Sequence, residues 1–163
     1  MVKLDPRAWL RDDGATHGFR QRTGTQMETV SENACFSGTQ GVYTHASSAC
    51  SCDMTFGLFL PEEAKSGPVP VLWYLSGLTC THENAMVKAG AQGWAAEQGI
   101  ALVFPDTSPR GDDVADDDAY DLGKGAGFYV NAVQAPWAKH FQMWDYVTED
   151  LPALLADTFA LDM

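Results

Sequence analysis

Two unbroken apolar runs constrain this chain more than any other feature. Residues 71–75 read VLWYL and residues 100–104 read IALVF. A strand with one wet face alternates apolar and polar residues. A strand without alternation suits a position covered on both faces, as in a parallel sheet. Parallel neighbours need a crossover of a dozen or more residues. Residues 81–98, between the runs, have helical character. Thr81 can cap the start, and Gly99 fits the left-handed position after the end. Gly90 and Gly93 are the expected interruptions. The pattern predicts strand, helix, strand: one crossover unit of an α/β fold.

Strands also precede that unit. In residues 52–60 (CDMTFGLFL), Cys52, Met54, Phe56, Leu58 and Leu60 share one face, while Asp53 and Thr55 fall on the other. Residues 28–36 and 40–45 are weaker strand candidates, joined by a turn that uses Ser37 and Gly38. Residues 62–70 are a turn-rich connection, and residues 105–137 a long loop. Met143, Val147, Leu151, Leu154 and Leu155 then recur at helical spacing. Pro152 predicts a kink or a restart in that helix. The chain reaches Met163 on this helix, where an α/β pattern is due its next parallel strand. The expectation is a partial sheet of marginal stability when isolated.

Charge narrows the functional classes. Acidic residues outnumber basic ones 22 to 10, a net charge of -12 in 163 residues. Phosphate contacts need clustered Lys and Arg, so a general nucleic-acid binder is excluded. A polybasic membrane-surface protein is excluded on the same ground. No apolar run approaches the ~20 residues of a membrane helix. Four cysteines do not make a disulfide scaffold, and Cys50 and Cys52 stand too close for an ordinary bridge, so a reduced cytoplasmic setting is the default. Residues 1–26 differ from the rest. They carry a charge of +2, few large aliphatics and no period. They read as a disordered extension or a mistaken upstream start, with Met27 as initiator and residues 27–163 as the folded unit.

The stretch with most chemical content is Ser76-Gly77-Leu78-Thr79-Cys80, directly after the first apolar run. Small residues there let the chain turn sharply at the carboxyl end of a sheet, the usual ligand crevice of open α/β folds. Free backbone N–H groups in such a turn can bind an oxyanion; an ordinary strand-to-helix turn is the plainer reading of the spacing. Ser76 is not flanked as G-x-S-x-G, and neither is any other serine of the chain. It reads as structural. Cys80 reads either as a thiol made reactive by a nearby helix start or as a small buried hydrophobe. The Cys50–Cys52 pair lacks the partners of a zinc site, so no metal is predicted. The six aspartates of residues 112–121 do not follow a calcium-loop spacing and read as a solvated loop. Residues 123–127 (GKGAG) read as backbone turns, not a phosphate loop. His17, His45, His82 and His140 stand singly, with surface or packing roles. Phe128, Tyr129 and Trp137 read as core aromatics or as pocket lining.

Three stretches together carry a resemblance: residues 71–84 (VLWYLSGLTCTHEN), 104–111 (FPDTSPRG) and 120–137 (YDLGKGAGFYVNAVQAPW). They resemble the S-formylglutathione hydrolase (esterase D) family, serine thioesterases of the α/β-hydrolase superfamily. The resemblance runs over residues 27–163, the amino-terminal half of such an enzyme. It implies an incomplete α/β-hydrolase fold: antiparallel leading strands, then the start of a parallel sheet with flanking helices. It also implies a Ser-His-Asp mechanism on S-formylglutathione and small acyl esters, without metal or organic cofactor. Leu78 would give its N–H to the oxyanion, with Gly77 shaping the turn. Cys80 matches a cysteine near the active site that is not the nucleophile. Phe128 and Trp137 match residues near the acyl or thiol side of the pocket. Ser37 stands where relatives often have glycine, and His82 at a variable position. The family's G-x-S-x-G serine, aspartate and histidine are all expected beyond Met163. No residue of the triad then falls within these 163 residues, and the chain alone is expected to be inert. A full-length form is compatible with a homodimer. Two other readings stay open: a non-catalytic module that completes its sheet with a partner chain, and an acyltransferase on the same scaffold.

Overall fold

The structure, a computed structural model, describes residues 27–163. The expectations for residues 1–26, His17 included, lie outside them. A mixed six-stranded sheet has the order β1-β2-β3-β5-β4-β6. Its first half is an antiparallel meander of β1 (Met27–Cys35), β2 (Gly38–Ser47) and β3 (Cys52–Leu60). The β1–β2 hairpin turns on Phe36 and Ser37, with φ of 44° and 63°. Two left-handed residues match the right-handed strand twist, which is why glycine is common at such sites. This corrects the expected Ser37–Gly38 turn. Gly38 opens β2 instead, and a Cβ there would collide with the Leu60 carbonyl.

The crossover unit follows. Strand β4 (Val69–Trp73) leads into helices α1 (His82–Lys88) and α2 (Gln92–Gln98), then into β5 (Ala101–Pro105), which pairs parallel with β4. Thr81 caps α1 as expected: its hydroxyl accepts from the Glu83 N–H at 3.2 Å, and the Asn84 side chain accepts the Thr81 N–H at 2.9 Å. Gly90, at φ 63°, separates the helices. Gly93 lies within α2 and interrupts nothing.

The two apolar runs part company in their surroundings. β5 is buried along its length. β4 is not: Val69, Val71 and Trp73 face the core, whereas Leu72 on the other side is 54% exposed. Helices α1 and α2 pack over Phe59, Leu102 and Phe104 of β3 and β5 and leave the outer face of β4 bare. A covered β4 was expected, and the structure corrects it.

The opposite face is closed by a helical stretch made of α3 (Met143–Asp145), a π-helical segment (Tyr146–Asp150) and α4 (Leu151–Thr158). Met143, Tyr146, Leu151, Leu154 and Leu155 pack there on Tyr43, Met54, Phe56, Leu58 and Val103. The widened π turn comes just before the proline, with the Leu151 N–H reaching back to the Tyr146 carbonyl. Pro152 sits in the first turn of α4, where its missing N–H costs little. The helix therefore widens where a kink or restart was expected.

A further correction concerns the approach to Met163. The helical spacing predicts a chain that reaches Met163 on the helix, but α4 stops at Thr158. Phe159 is extended, with φ -123° and ψ 155°, and turns the backbone toward the sheet. Residues 161–162 form β6 (Leu161–Asp162), parallel to Val69–Pro70 of β4. The next parallel strand has thus begun before Met163, which follows it with half of its surface exposed. Leu161 is the reason: it reaches the core beside Val69, and burial of both favours the pairing.

Two buried imidazoles, His45 and His140, are packed into this frame, and His82 is half-buried. His45, 2% exposed, stacks on Tyr146 with centroids 5.8 Å apart and lies 3.4 Å from its hydroxyl. Burial holds its pKa below the ordinary histidine value, although the Asp150 and Asp53 carboxylates pull upward. The unfolded chain takes up that proton first as pH falls, so the stability present above about pH 6.5 is lost below it. His82 has the same sign. Urea melts should show the midpoint dropping between about pH 7 and pH 5, with a smaller drop in His45→Gln. An unchanged drop in that variant would assign the effect elsewhere.

Candidate functional site

Strands β4 and β5 are adjacent and parallel, and their onward connections leave on opposite faces of the sheet. Helices α1 and α2 take one face and the α3–α4 stretch takes the other. Such a pair opens a crevice outside its carboxyl ends. The three stretches that carry the sequence resemblance meet at this point.

The turn after β4 is held from several sides. Tyr74 still donates to the Val103 carbonyl at 2.8 Å. The Tyr129 hydroxyl donates to the Ser76 carbonyl at 2.9 Å, and the Thr79 N–H to the Gly125 carbonyl at 2.9 Å. The Cys80 carbonyl accepts from the Thr107 hydroxyl and, at 2.9 Å, from Arg110 Nη2. Thr79 has φ 66°, an uncommon setting for a β-branched residue. Between these ties, no acceptor among the described residues takes the N–H of Ser76, Gly77 or Leu78. Gly77 is exposed and Leu78 half-buried. Ser76 is buried and offers its carbonyl, which fits a structural serine.

The loop after β5 forms the second wall. Asp106 is 5% exposed, and its carboxylate takes the Thr107 N–H at 2.6 Å, the Ser108 N–H at 3.3 Å and Arg110 Nε at 3.0 and 3.1 Å. The glycine-rich segment is the third wall. Gly125, at φ 98°, donates to Ser108 Oγ at 2.6 Å while its carbonyl holds Thr79. A Cβ there would stand 3.2 Å from the Thr79 Cα. One at Gly127 would collide with the Thr107 carbonyl and stand 2.8 Å from Met143. These glycines serve close backbone approach, in line with a turning role.

The remaining candidate residues find quieter places. Phe128 and Tyr129 are consecutive left-handed residues, with φ of 50° and 52°. Phe128 is 56% exposed beside the turn's tie, while Trp137 packs edge-on against Phe141 with centroids 5.5 Å apart. No hydrogen bond or ring contact among the described residues joins Trp137 to the turn. Cys80 is half-buried, and all four thiols are free. Burial pushes Cys50 up to about 12 and Cys52 up to about 11, which leaves both unreactive. The aspartates of residues 112–121 are exposed, and Asp116 is held below the usual carboxylate range by the N–H groups of Lys124 and Asp117. Among the described residues no three metal-ligating side chains cluster. Residue patterns missed Asp106, Arg110, Ser108 and Tyr129 as partners of the turn. The FPDTSPRG stretch was the available signal for the first three, and residues 120–137 for Tyr129.

Comparison with known proteins gives the family. Residues 47–163 match the model of the Esterase family. The chain belongs to that family. It is 67% identical over 135 residues to the S-formylglutathione hydrolase of Paracoccus denitrificans, covering 83% of this chain and 48% of that protein. Among solved structures, an S-formylglutathione hydrolase from Agrobacterium tumefaciens matches with a TM-score of 0.82 and 50% identity, over 83% of this chain and 49% of that one. The fluorophosphonate-binding serine hydrolase FphF of Staphylococcus aureus shares the fold, with a TM-score of 0.58 at 18% identity over 77% of this chain and 43% of that one. The chain thus spans about half the length of the relatives it matches, and an incomplete α/β-hydrolase fold is what it forms.

Tyr129 gives the site a spectroscopic handle. Burial and the Asp106 and Cys80 charges push its phenol up to about 12, against a weaker pull from the Ser76 contact. A group raised in the folded state stabilises below its unfolded pKa, and that stability is lost as pH climbs from about 10 through the folded value. A 295 nm absorbance titration of Tyr129→Phe should lack a tyrosinate step near 12 that the parent shows. A parent and variant with identical curves would contradict the buried placement.

Proposed function

We propose that residues 27–163 are the oxyanion-binding portion of a serine thioesterase that hydrolyses S-formylglutathione to glutathione and formate. The observation that carries the reading is the pair of unclaimed N–H groups at Gly77 and Leu78, in a turn tied on both sides of them. Identity of 67% to a protein named for that activity supports it. In this reading the nucleophilic serine, its histidine and the orienting aspartate belong to the part of such an enzyme that the chain does not cover, since it spans 48% of the S-formylglutathione hydrolase it matches. In the reaction the serine oxygen attacks the thioester carbon and the histidine takes its proton. The carbonyl oxygen, now negative, is met by the Leu78 N–H, with Gly77 keeping the approach open. Collapse breaks the C–S bond, the histidine protonates the glutathione sulfur, and water then releases formate from the acyl-serine. In this reading Cys80 and Phe128 stand near the acyl site, and Trp137, which packs on Phe141, takes part only through the carboxyl-terminal half. Small acyl esters enter by the same chemistry. Formaldehyde disposal in the cytoplasm is the setting in which this product pair is useful, and no cofactor is required.

Preorganised donors act in the transition state, where one is worth ~3–4 kcal/mol, but only once a nucleophile creates the charge. The test therefore joins residues 27–163 to the carboxyl-terminal half of the Paracoccus denitrificans protein. That hybrid should hydrolyse S-formylglutathione and be labelled by a fluorophosphonate, whereas the 163-residue chain alone should not be labelled. Leu78→Pro removes the N–H and should lower kcat of the hybrid by ~10²–10³-fold. Unchanged turnover by a folded variant would discard the oxyanion role. Added alcohol separates hydrolase from acyltransferase by whether water or the alcohol takes the acyl group.

One observation favours a second reading, an interaction module. Leu72 and Tyr74 are 54% and 43% exposed on the bare side of β4, beside the short edge strand β6, and Leu75 just after the strand is 47% exposed. Apolar residues in that position suit a polypeptide that adds strand and helix at this edge. The separately expressed carboxyl-terminal half of the Paracoccus denitrificans protein should co-purify with the chain, and Leu72→Lys should abolish the association. Equal capture by the variant would remove this face from consideration.

A further inference from the structure

We infer that Arg110, braced by Asp106, is a positioning residue that fixes the direction of the Leu78 N–H. The inference rests on reading the turn as the oxyanion site. A carboxylate as buried as Asp106 must have its oxygens filled. Two backbone N–H groups and Arg110 Nε fill them, the latter at 3.0 and 3.1 Å. The guanidinium is planar, so anchoring Nε also sets where Nη2 points. Nη2 points at the Cys80 carbonyl, 2.9 Å away. Arg110 belongs to no core cluster; its side chain is 34% exposed, and Asp106 and the Cys80 carbonyl are its hydrogen-bond partners among the described residues.

Thr79 explains why such a brace is needed. It lies between Leu78 and Cys80 with φ 66°, in a region a β-branched side chain disfavours. A residue held there relaxes unless both of its flanks are tied. The Gly125 carbonyl ties its N–H, and Arg110 with Thr107 ties the carbonyl that follows. Release of the second tie lets Thr79 return to negative φ, and the peptide planes beside it turn with it. The free N–H of Leu78 would then no longer face one direction. A lysine cannot replace the arginine fully, because one ammonium cannot span both carboxylate and carbonyl in the same fixed plane.

Amide-resolved NMR on the 163-residue chain tests this without needing turnover. In Arg110→Ala, exchange at the Thr79 and Cys80 amides should quicken by about tenfold or more, and the Leu78 resonance should shift and broaden. Amides of β2 and β3 should keep their protection. Arg110→Lys should restore part of the Thr79 protection, and Asp106→Asn should reproduce the alanine result. Unchanged Thr79, Cys80 and Leu78 signals in folded Arg110→Ala would overturn the inference. So would an equal loss of protection across β2 and β3 in the alanine and lysine variants, which marks a general structural role. If Arg110→Ala does not fold, Arg110→Lys is read at the same three amides, and wild-type behaviour there overturns the inference. An inert hybrid enzyme would sink the oxyanion reading alone, since the exchange measurement is independent of it.

Discussion

Parallel pairing of β4 with β5 is the constraint on which the rest depends. Val71, Leu72 and Trp73 stand beside Ala101, Leu102 and Val103, so both strands end on the same edge of the sheet. A parallel pair cannot be joined by a short turn, and the crossover helices must pack on a face. Here that crossover takes the face of Phe59 and Phe104, and the next connection takes the face of Phe56 and Leu58. The carboxyl ends of the two strands are left as an open notch. The ties from Thr107, Arg110, Gly125 and Tyr129 to the turn at residues 76–80 are made across it.

Satisfaction of buried polar groups then decides the shape of the notch. A buried acceptor without a donor costs more than a formed hydrogen bond contributes, so the loops arrange themselves to serve such groups. Asp106, Ser108 and the Cys80 carbonyl are served by loop neighbours. Of the turn's N–H groups without a partner among the described residues, those of exposed Gly77 and half-buried Leu78 lie where the chain is open to solvent, and that of Ser76 belongs to a buried residue. Water can serve the Gly77 and Leu78 donors until a ligand oxygen does. The arrangement is a hydrogen-bonded frame around the solvent-facing donors of Gly77 and Leu78, which is the form that electrostatic catalysis requires.

Much of this frame was legible in the residues. The alternation of Cys52–Leu60, the Thr81 cap, the Gly99 end and the two apolar runs each reflect a local preference, and each appears as an element. The turn that bears Gly77 and Leu78 was legible because it must follow a strand with small residues. Less was legible where long-range packing overrides local rules. The helix widens to a π turn before Pro152 because Tyr146 and Leu151 must both face the core. It ends short of Met163 because Leu161 finds Val69 across the sheet. β4 stays bare because α1 and α2 are centred on β3 and β5. Asp106 and Arg110 have no residue pattern that singles them out, since the Cys80 carbonyl that Arg110 meets lies 30 residues earlier in the chain.

The sequence by itself determined the class of fold, the order of its main elements, the turn after β4 and, through three motifs, the family. Those properties follow from period, capping and turn chemistry within a few residues, which any linear reading can reach. Only the tertiary structure decided that Gly125, Tyr129, Thr107 and Arg110 converge on that turn and leave the amides of Gly77 and Leu78 free at the surface. Hydrogen bonds across loops depend on where the sheet places each loop, and residue types alone do not carry that distance information.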